Sequence, residues 1–208
     1  MLTHLRIKNF KAWKNTGSIR LAPLTVIFGA NSAGKSSLGH LLLALQQTAR
    51  STDRKRALHL GDASSFIDLG TFKDCLHGHD LAHSLEFEMA WTLPKTMEVR
   101  DPLLAKSRYS GDRMRLAVKL AAGKSEQPEV QSLEYALGSD AGDELDVSLR
   151  RDEKRKLILN SERYGVSCKT APTRDFFCRE GSRNGVQATI SGMMWFPDQY
   201  HIRLPYGC

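Results

Sequence analysis

The chain has 208 residues, 41% hydrophobic and 25% charged, ordinary values for a globular protein long enough to bury a real core. A count of 30 Lys and Arg against 23 Asp and Glu gives a formal charge of +7, which favours anionic partners such as nucleotide or nucleic acid. No apolar run approaches the ~20 residues that span a bilayer, which argues against a membrane partner, and cysteines 75, 168, 178 and 208 form neither a Cys-x-x-Cys pair nor a compact framework, as in a reduced cytoplasmic protein.

Leu2, Leu5 and Ile7 alternate as in a strand and lack the apolar region of a signal peptide. That strand runs into Asn9-Phe10-Lys11-Ala12-Trp13, and Ser18-Ile19-Arg20-Leu21 reads as its antiparallel hairpin partner. Leu24-Thr25-Val26-Ile27-Phe28 is short, apolar and β-branched, the composition of a buried strand. It leads into Gly29-Ala30-Asn31-Ser32-Ala33-Gly34-Lys35-Ser36, which fits the phosphate-binding loop G-x-x-x-x-G-K-[ST] (Walker A) at every position. Ser37 to Gln47 follow as a helix with an apolar face.

That order suits the chemistry. Gly29 and Gly34 tolerate backbone angles that a Cβ penalises. The loop amides of residues 29–37 converge on an anion at the positive end of the helix. Lys35 reaches the β- and γ-phosphates of ATP, and the Ser36 hydroxyl suits the magnesium that bridges them.

Farther along, Ser51-Thr52-Asp53 predicts the start of a short basic helix through Arg54-Lys55-Arg56-Ala57-Leu58. Ser65 to Asp74 reads as an ordered turn region. From Ser84, alternation through Leu85, Phe87 and Met89, then Met114 to Leu120, Val130 to Leu137, Leu145 to Leu149, Leu157 to Leu159 and Tyr164 to Cys168 predicts an antiparallel meander. Asp101 to Asp112 and Ala121 to Pro128 read as loops. Beyond Arg174 the pattern weakens. Ile190 to Pro197 is apolar, and His201 to Cys208 ends without a cap or polar tail, as if the chain stops before its fold is complete.

Other chemistry-bearing clusters read more plainly. His77, His79, Asp80 and His83 have zinc-like ligand types without an evident fourth ligand, so a polar surface turn is the better reading. Arg54-Lys55-Arg56 and the Arg150 to Lys156 run suit phosphodiester backbones or solvated turns, and Arg174, Arg179 and Arg183 add basic character. Cys75 has no evident base beside it and reads as a buried thiol rather than a nucleophile.

Leu5 to Trp13, then a strand, then Phe28 to Leu38 resembles the amino-terminal part of SMC-like, ABC-type ATPases. RecF, the OLD-family nucleases and the bacterial AAA family ATPases of antiphage defence share this opening. The resemblance covers roughly the first quarter of the chain. Phe66 to Phe72 before an antiparallel β region is similar to the defence-type members. The resemblance implies that Asn31, Gly34, Lys35, Ser36 and Ser37 hold phosphates and that Lys11 lies near the nucleotide. Lys11 reads equally as a solvated strand-end lysine. It also implies a homodimer or a complex with another subunit, and DNA as a partner.

The acidic Walker B pair, the Ser-Gly-Gly signature and the histidine switch of the family are not recognisable, nor is a nuclease domain. Glu86, Glu88 and Glu134 read as solvent-facing strand positions, and Ser191-Gly192 is an isolated dipeptide. The expected fold is therefore α/β: a phosphate-loop lobe with a mixed sheet over 1–83, an antiparallel β-rich lobe over 84–170, and a segment 171–208 of a truncated carboxy-terminal half. The expected function is an ATP-binding module of DNA-directed or defence machinery with little turnover of its own. A small-molecule kinase and a nucleic-acid-binding module with a vestigial loop are the alternatives.

Overall fold

Alternating burial of Leu5, Ile7 and Phe10 against the more open Arg6 and Lys8 builds strand β1 (Leu2–Phe10), the hub of the sheet. The structure is a computed structural model and describes residues 1–53, 56–100, 108–140, 142–152, 157–161 and 166–170. Strands β2 (Trp13–Asn15) and β3 (Ile19–Arg20) both return antiparallel to β1, with Lys8 opposite Asn15 and Leu5 opposite Ile19. Helix α1 (Lys35–Arg50) comes next, followed by the short α2 (Phe72–Cys75) and a 3-10 turn at His77–His79.

The meander follows as β4 (Leu85–Arg100), β5 (Arg108–Ala122), β6 (Pro128–Ser139), β7 (Gly142–Arg151), β8 (Leu157–Ser161) and β9 (Val166–Thr170). The strand order is β2-β1-β4-β5-β6-β7-β8-β9, with β3 also on β1. Every pairing among the described residues is antiparallel, so the chain is α/β with an open antiparallel sheet rather than a mixed one. Ile7 pairs with Phe87 and Leu5 with Met89, so β1 from the first 83 residues and β4 from the segment after them share one sheet. Residues 171–208 lie outside the described residues.

The period of two divides the sheet into two faces. Leu5, Ile7, Phe87, Met89, Leu116, Val118 and Leu133 face a single core shared with Leu38, Leu41, Ala44 and Leu45 of α1 and with Phe72, Cys75 and Leu76. The other face carries charge. Glu86 receives Lys8 at 3.1 Å and Lys119 at 3.3 Å, and Glu134 receives Arg150 at 2.9 Å. Burial pushes the Glu86 carboxyl up, and its bonds to the two lysines outweigh that and hold it below its usual range. Glu86, Glu88 and Glu134 are thus half-exposed members of cross-strand ion pairs.

Two local expectations are corrected. Residues 108–112 belong to β5 rather than to a loop, because Val99 and Tyr109 pair and are both buried, and Gly111 lies directly against the Gly138 backbone. The basic helix after Asp53 is not formed: residues 56–58 are irregular, and Arg54 and Lys55 lie outside the described residues. Just beyond this stretch, tertiary hydrogen bonds hold the backbone of His59. Thr48 Oγ1 donates to the Ala44 carbonyl at 2.6 Å and accepts the His59 N–H at 2.8 Å. Gln47 Nε2 donates to the His59 carbonyl at 2.7 Å. Buried groups of α1 thereby satisfy the backbone beside it.

The turn region that follows is ordered by two aspartates. Thr71 and Asp74 form a reciprocal capping box on α2. Asp62 is held down to about 2 by the Ser64 hydroxyl, the Ser64 N–H and the Ser65 hydroxyl. A carboxyl lowered in the folded state stabilises the fold above its ordinary value of 3.8 and loses that contribution as pH falls through about 2. Asp62→Ala should therefore melt below the parent protein near neutral pH. The gap in a thermal-melt series should close as the pH drops across that window, and a gap independent of pH would show that the carboxylate charge is not responsible.

Candidate phosphate-binding site

The site is built where the chain enters α1. Gly34 caps the helix in the left-handed region, with φ 86° and ψ 12°. A Cβ added there would lie 2.6 Å from the Ala12 Cβ and 3.2 Å from Trp13 Nε1, so only glycine fits on both counts. Lys35 folds back over the loop, and its ammonium donates to the Gly29 carbonyl at 2.9 Å and the Ala30 carbonyl at 2.6 Å. The loop closes on itself through Ala33 N–H to the Ala30 carbonyl at 3.3 Å. Ser37 N–H returns to the Gly34 carbonyl at 3.0 Å, whereas the amides of Lys35 and Ser36 have no acceptor among the described residues. Asn31, Ser32, Ala33 and Ser36 are exposed beside them. The first turn of α1 has no acidic residue, so its positive end is not neutralised locally.

The β1–β2 turn seats against this loop. Trp13 Nε1 donates to the Gly34 carbonyl at 2.9 Å. Lys11 lies just before it, in the left-handed region at φ 47°. Its N–H donates to the Cys75 carbonyl at 2.7 Å, and its carbonyl pairs with His77 Nδ1 at 2.9 Å. The Lys11 charge is felt at Asp74 and Cys75 of α2 and at His40 of α1. His40 lies one turn beyond Ser36 on α1, with Nδ1 buried and unpartnered. Burial, then the Lys11 charge, lowers its pKa and favours the neutral ring. Burial pushes the Cys75 thiol up to about 11, which disfavours a nucleophilic thiolate.

One expectation beside the loop fails. Leu24 to Phe28 form no strand, and Leu24, Val26, Ile27 and Phe28 are 82%, 59%, 46% and 88% exposed. The reason is lateral: no described strand pairs with this stretch, so its β-branched composition has neither a hydrogen-bonding neighbour nor a covering layer. Thr25 caps only locally, accepting the Ala22 N–H at 3.0 Å.

The histidine cluster divides among separate partners. His77 serves Lys11, His79 Nδ1 lies 3.2 Å from the Lys73 carbonyl, and His83 Nδ1 lies 2.8 Å from Asp80. Among the described residues no group of three His, Cys, Asp or Glu is arranged to hold a metal ion. Arg56 pairs with Asp53 and Arg150 with Glu134, and Arg54 and Lys55 lie outside the described residues. Residues 153–156, Arg174, Arg179, Arg183, Ser191-Gly192 and the apolar tail lie outside them.

Sequence reasoning missed Trp13, His40 and His77 as members of the site. Only the Asn-Phe-Lys-Ala-Trp resemblance pointed there, and no periodicity marks them. No helix of the described residues is long and apolar enough to cross a membrane. Compared with known proteins, the chain matches no family model and no curated sequence.

Proposed function

We propose that the chain is the ATP- and magnesium-binding module of an SMC- or ABC-like ATPase of the AAA family. It would act in the cytoplasm as a homodimer or within a complex, serving DNA-directed or antiphage-defence machinery. The observation that carries the reading is the Walker A lysine at the head of α1, its ammonium folded onto the Gly29 and Ala30 carbonyls beside two amides without acceptors. A loop wound around its own lysine places a cation and N–H donors at one point, which suits a phosphate chain.

Ser36, exposed in the first turn of α1, is the residue that would hold magnesium, whose charge would offset that of the β- and γ-phosphates. Lys11 approaches from the β1–β2 turn and adds a second positive charge. Binding and charge stabilisation are what these residues supply. Activation of water needs an acid, and no Walker B pair is recognisable in this sequence, so the reading covers nucleotide binding and not turnover.

Calorimetry with MgATP tests the reading. Lys35→Ala should weaken binding at least tenfold, about 1.4 kcal/mol, and equal affinity in the two proteins would overturn the assignment. Phosphate release stimulated by DNA supports the ATPase class, and transfer to a small acceptor would move the reading to a kinase.

A further inference from the structure

We propose that Trp13 is a positioning residue of the phosphate-binding loop, locking the Gly34–Lys35 peptide so that the Lys35 amide faces the phosphate position. This inference rests on the nucleotide-binding reading above. In a planar trans peptide the carbonyl and the amide hydrogen point in opposite directions. The Gly34 carbonyl is held by two donors, the Trp13 indole at 2.9 Å and the Ser37 N–H at 3.0 Å. The Lys35 N–H is therefore directed away from the indole, where no described protein group accepts it.

Glycine needs such a lock. The Gly34–Lys35 peptide turns about ψ of Gly34 and φ of Lys35, and a residue without a Cβ leaves its own ψ freer than any other residue does. A flipped peptide would turn the Gly34 oxygen toward an incoming anion and withdraw an N–H. The indole raises the cost of that flip, because breaking its bond leaves a partly buried donor unpaired.

The lock is itself anchored. Trp13 pairs with Phe10 in the β1–β2 register, and Phe10 is fully buried. Between them, Lys11 is clamped through its N–H by Cys75 and through its carbonyl by His77. Ala12 fills the space a Gly34 side chain would need. A rigid turn from the start of the chain thus sets the orientation of one peptide 21 residues later.

Trp13→Phe keeps an aromatic ring and removes only the donor. MgATP affinity should fall about fivefold, the size expected for one hydrogen bond, while the melting temperature stays within about 3 °C of the parent, a shift of about 1 kcal/mol at most. The Lys35 amide cross-peak in a nitrogen–proton NMR spectrum should shift or broaden as the peptide samples the flipped state. Of the 3 tryptophan indole peaks, the one lost in the variant should move when MgATP is added to the parent protein. Parent-like affinity with an unmoved Lys35 amide overturns the proposal. If the parent protein binds no MgATP, the nucleotide reading fails, and the Lys35 amide in the ligand-free variant alone decides the positioning role: a shift upholds it and an unmoved peak overturns it.

Discussion

Gly34→Ala should abolish measurable MgATP binding and destabilise the fold together, a larger effect than removing the lysine charge. Two costs add. A left-handed φ of 86° costs a residue with a Cβ about 1–2 kcal/mol. The new Cβ would also stand 2.6 Å from the Ala12 Cβ, an overlap that must displace the β1–β2 turn, and overpacking of this kind costs about 1–3 kcal/mol. The sum is about 2–5 kcal/mol, or a fall of about 5–15 °C in melting temperature for a chain of this size. Relief of the clash should weaken the proposed nucleotide binding as well, because moving Ala12 carries Trp13 off the Gly34 carbonyl. Circular dichroism melts and calorimetry on the same preparation check both effects. A melt unchanged from the parent would mean that the turn does not pack against the loop.

Phe10→Ala should be the most destabilising of the single substitutions considered. Phe10 is fully buried at the end of β1, in the core that joins the sheet to α1. Removing a buried phenyl ring costs about 3–5 kcal/mol, from lost transfer energy and the cavity left behind. That is a large share of the roughly 5–15 kcal/mol that holds a typical domain together. Urea denaturation should show a lower midpoint with an unchanged slope. Phe28→Ala supplies the contrast. It deletes the same ring from a position 88% exposed, and stability should stay within about 0.5 kcal/mol. Equal losses in the two variants would show that Phe28 is covered and that the open edge from Leu24 to Phe28 is closed.

These two phenylalanines also measure how far the residues alone could be read. Both close a stretch that reads as a strand, alternating before Phe10 and apolar before Phe28, and both stand just before a lysine- or glycine-bearing turn. Local composition treats them alike, and the fold buries one and exposes the other. The difference is whether another strand lies alongside: β4 pairs with β1, and no described strand pairs with residues 24–28.

The meander was legible because an antiparallel sheet with one wet face writes its period of two directly into the residues, as Leu116, Val118 and Leu120 do against Arg115 and Lys119. Its limits were less legible. Gly111 looks like a loop residue until the Gly138 backbone is found pressed against it. The loop motif and its helix were likewise readable, since glycine spacing and a helix start are local chemistry that needs no distant partner.

What the sequence by itself determined was carried by neighbours along the chain: the alternating strands of the meander, the amphipathic helix over Ser37 to Gln47 that the structure extends to Lys35–Arg50, and the spacing of the glycines before it. What only the tertiary structure decided was everything carried by neighbours in space. Thr48 and Gln47 satisfy the His59 backbone, Glu86 lies between two lysines from different strands, and Trp13 reaches the Gly34 carbonyl. The physical reason is that a hydrogen bond or a buried contact between residues far apart in the chain depends on where the backbone brings them, and no local spacing encodes that.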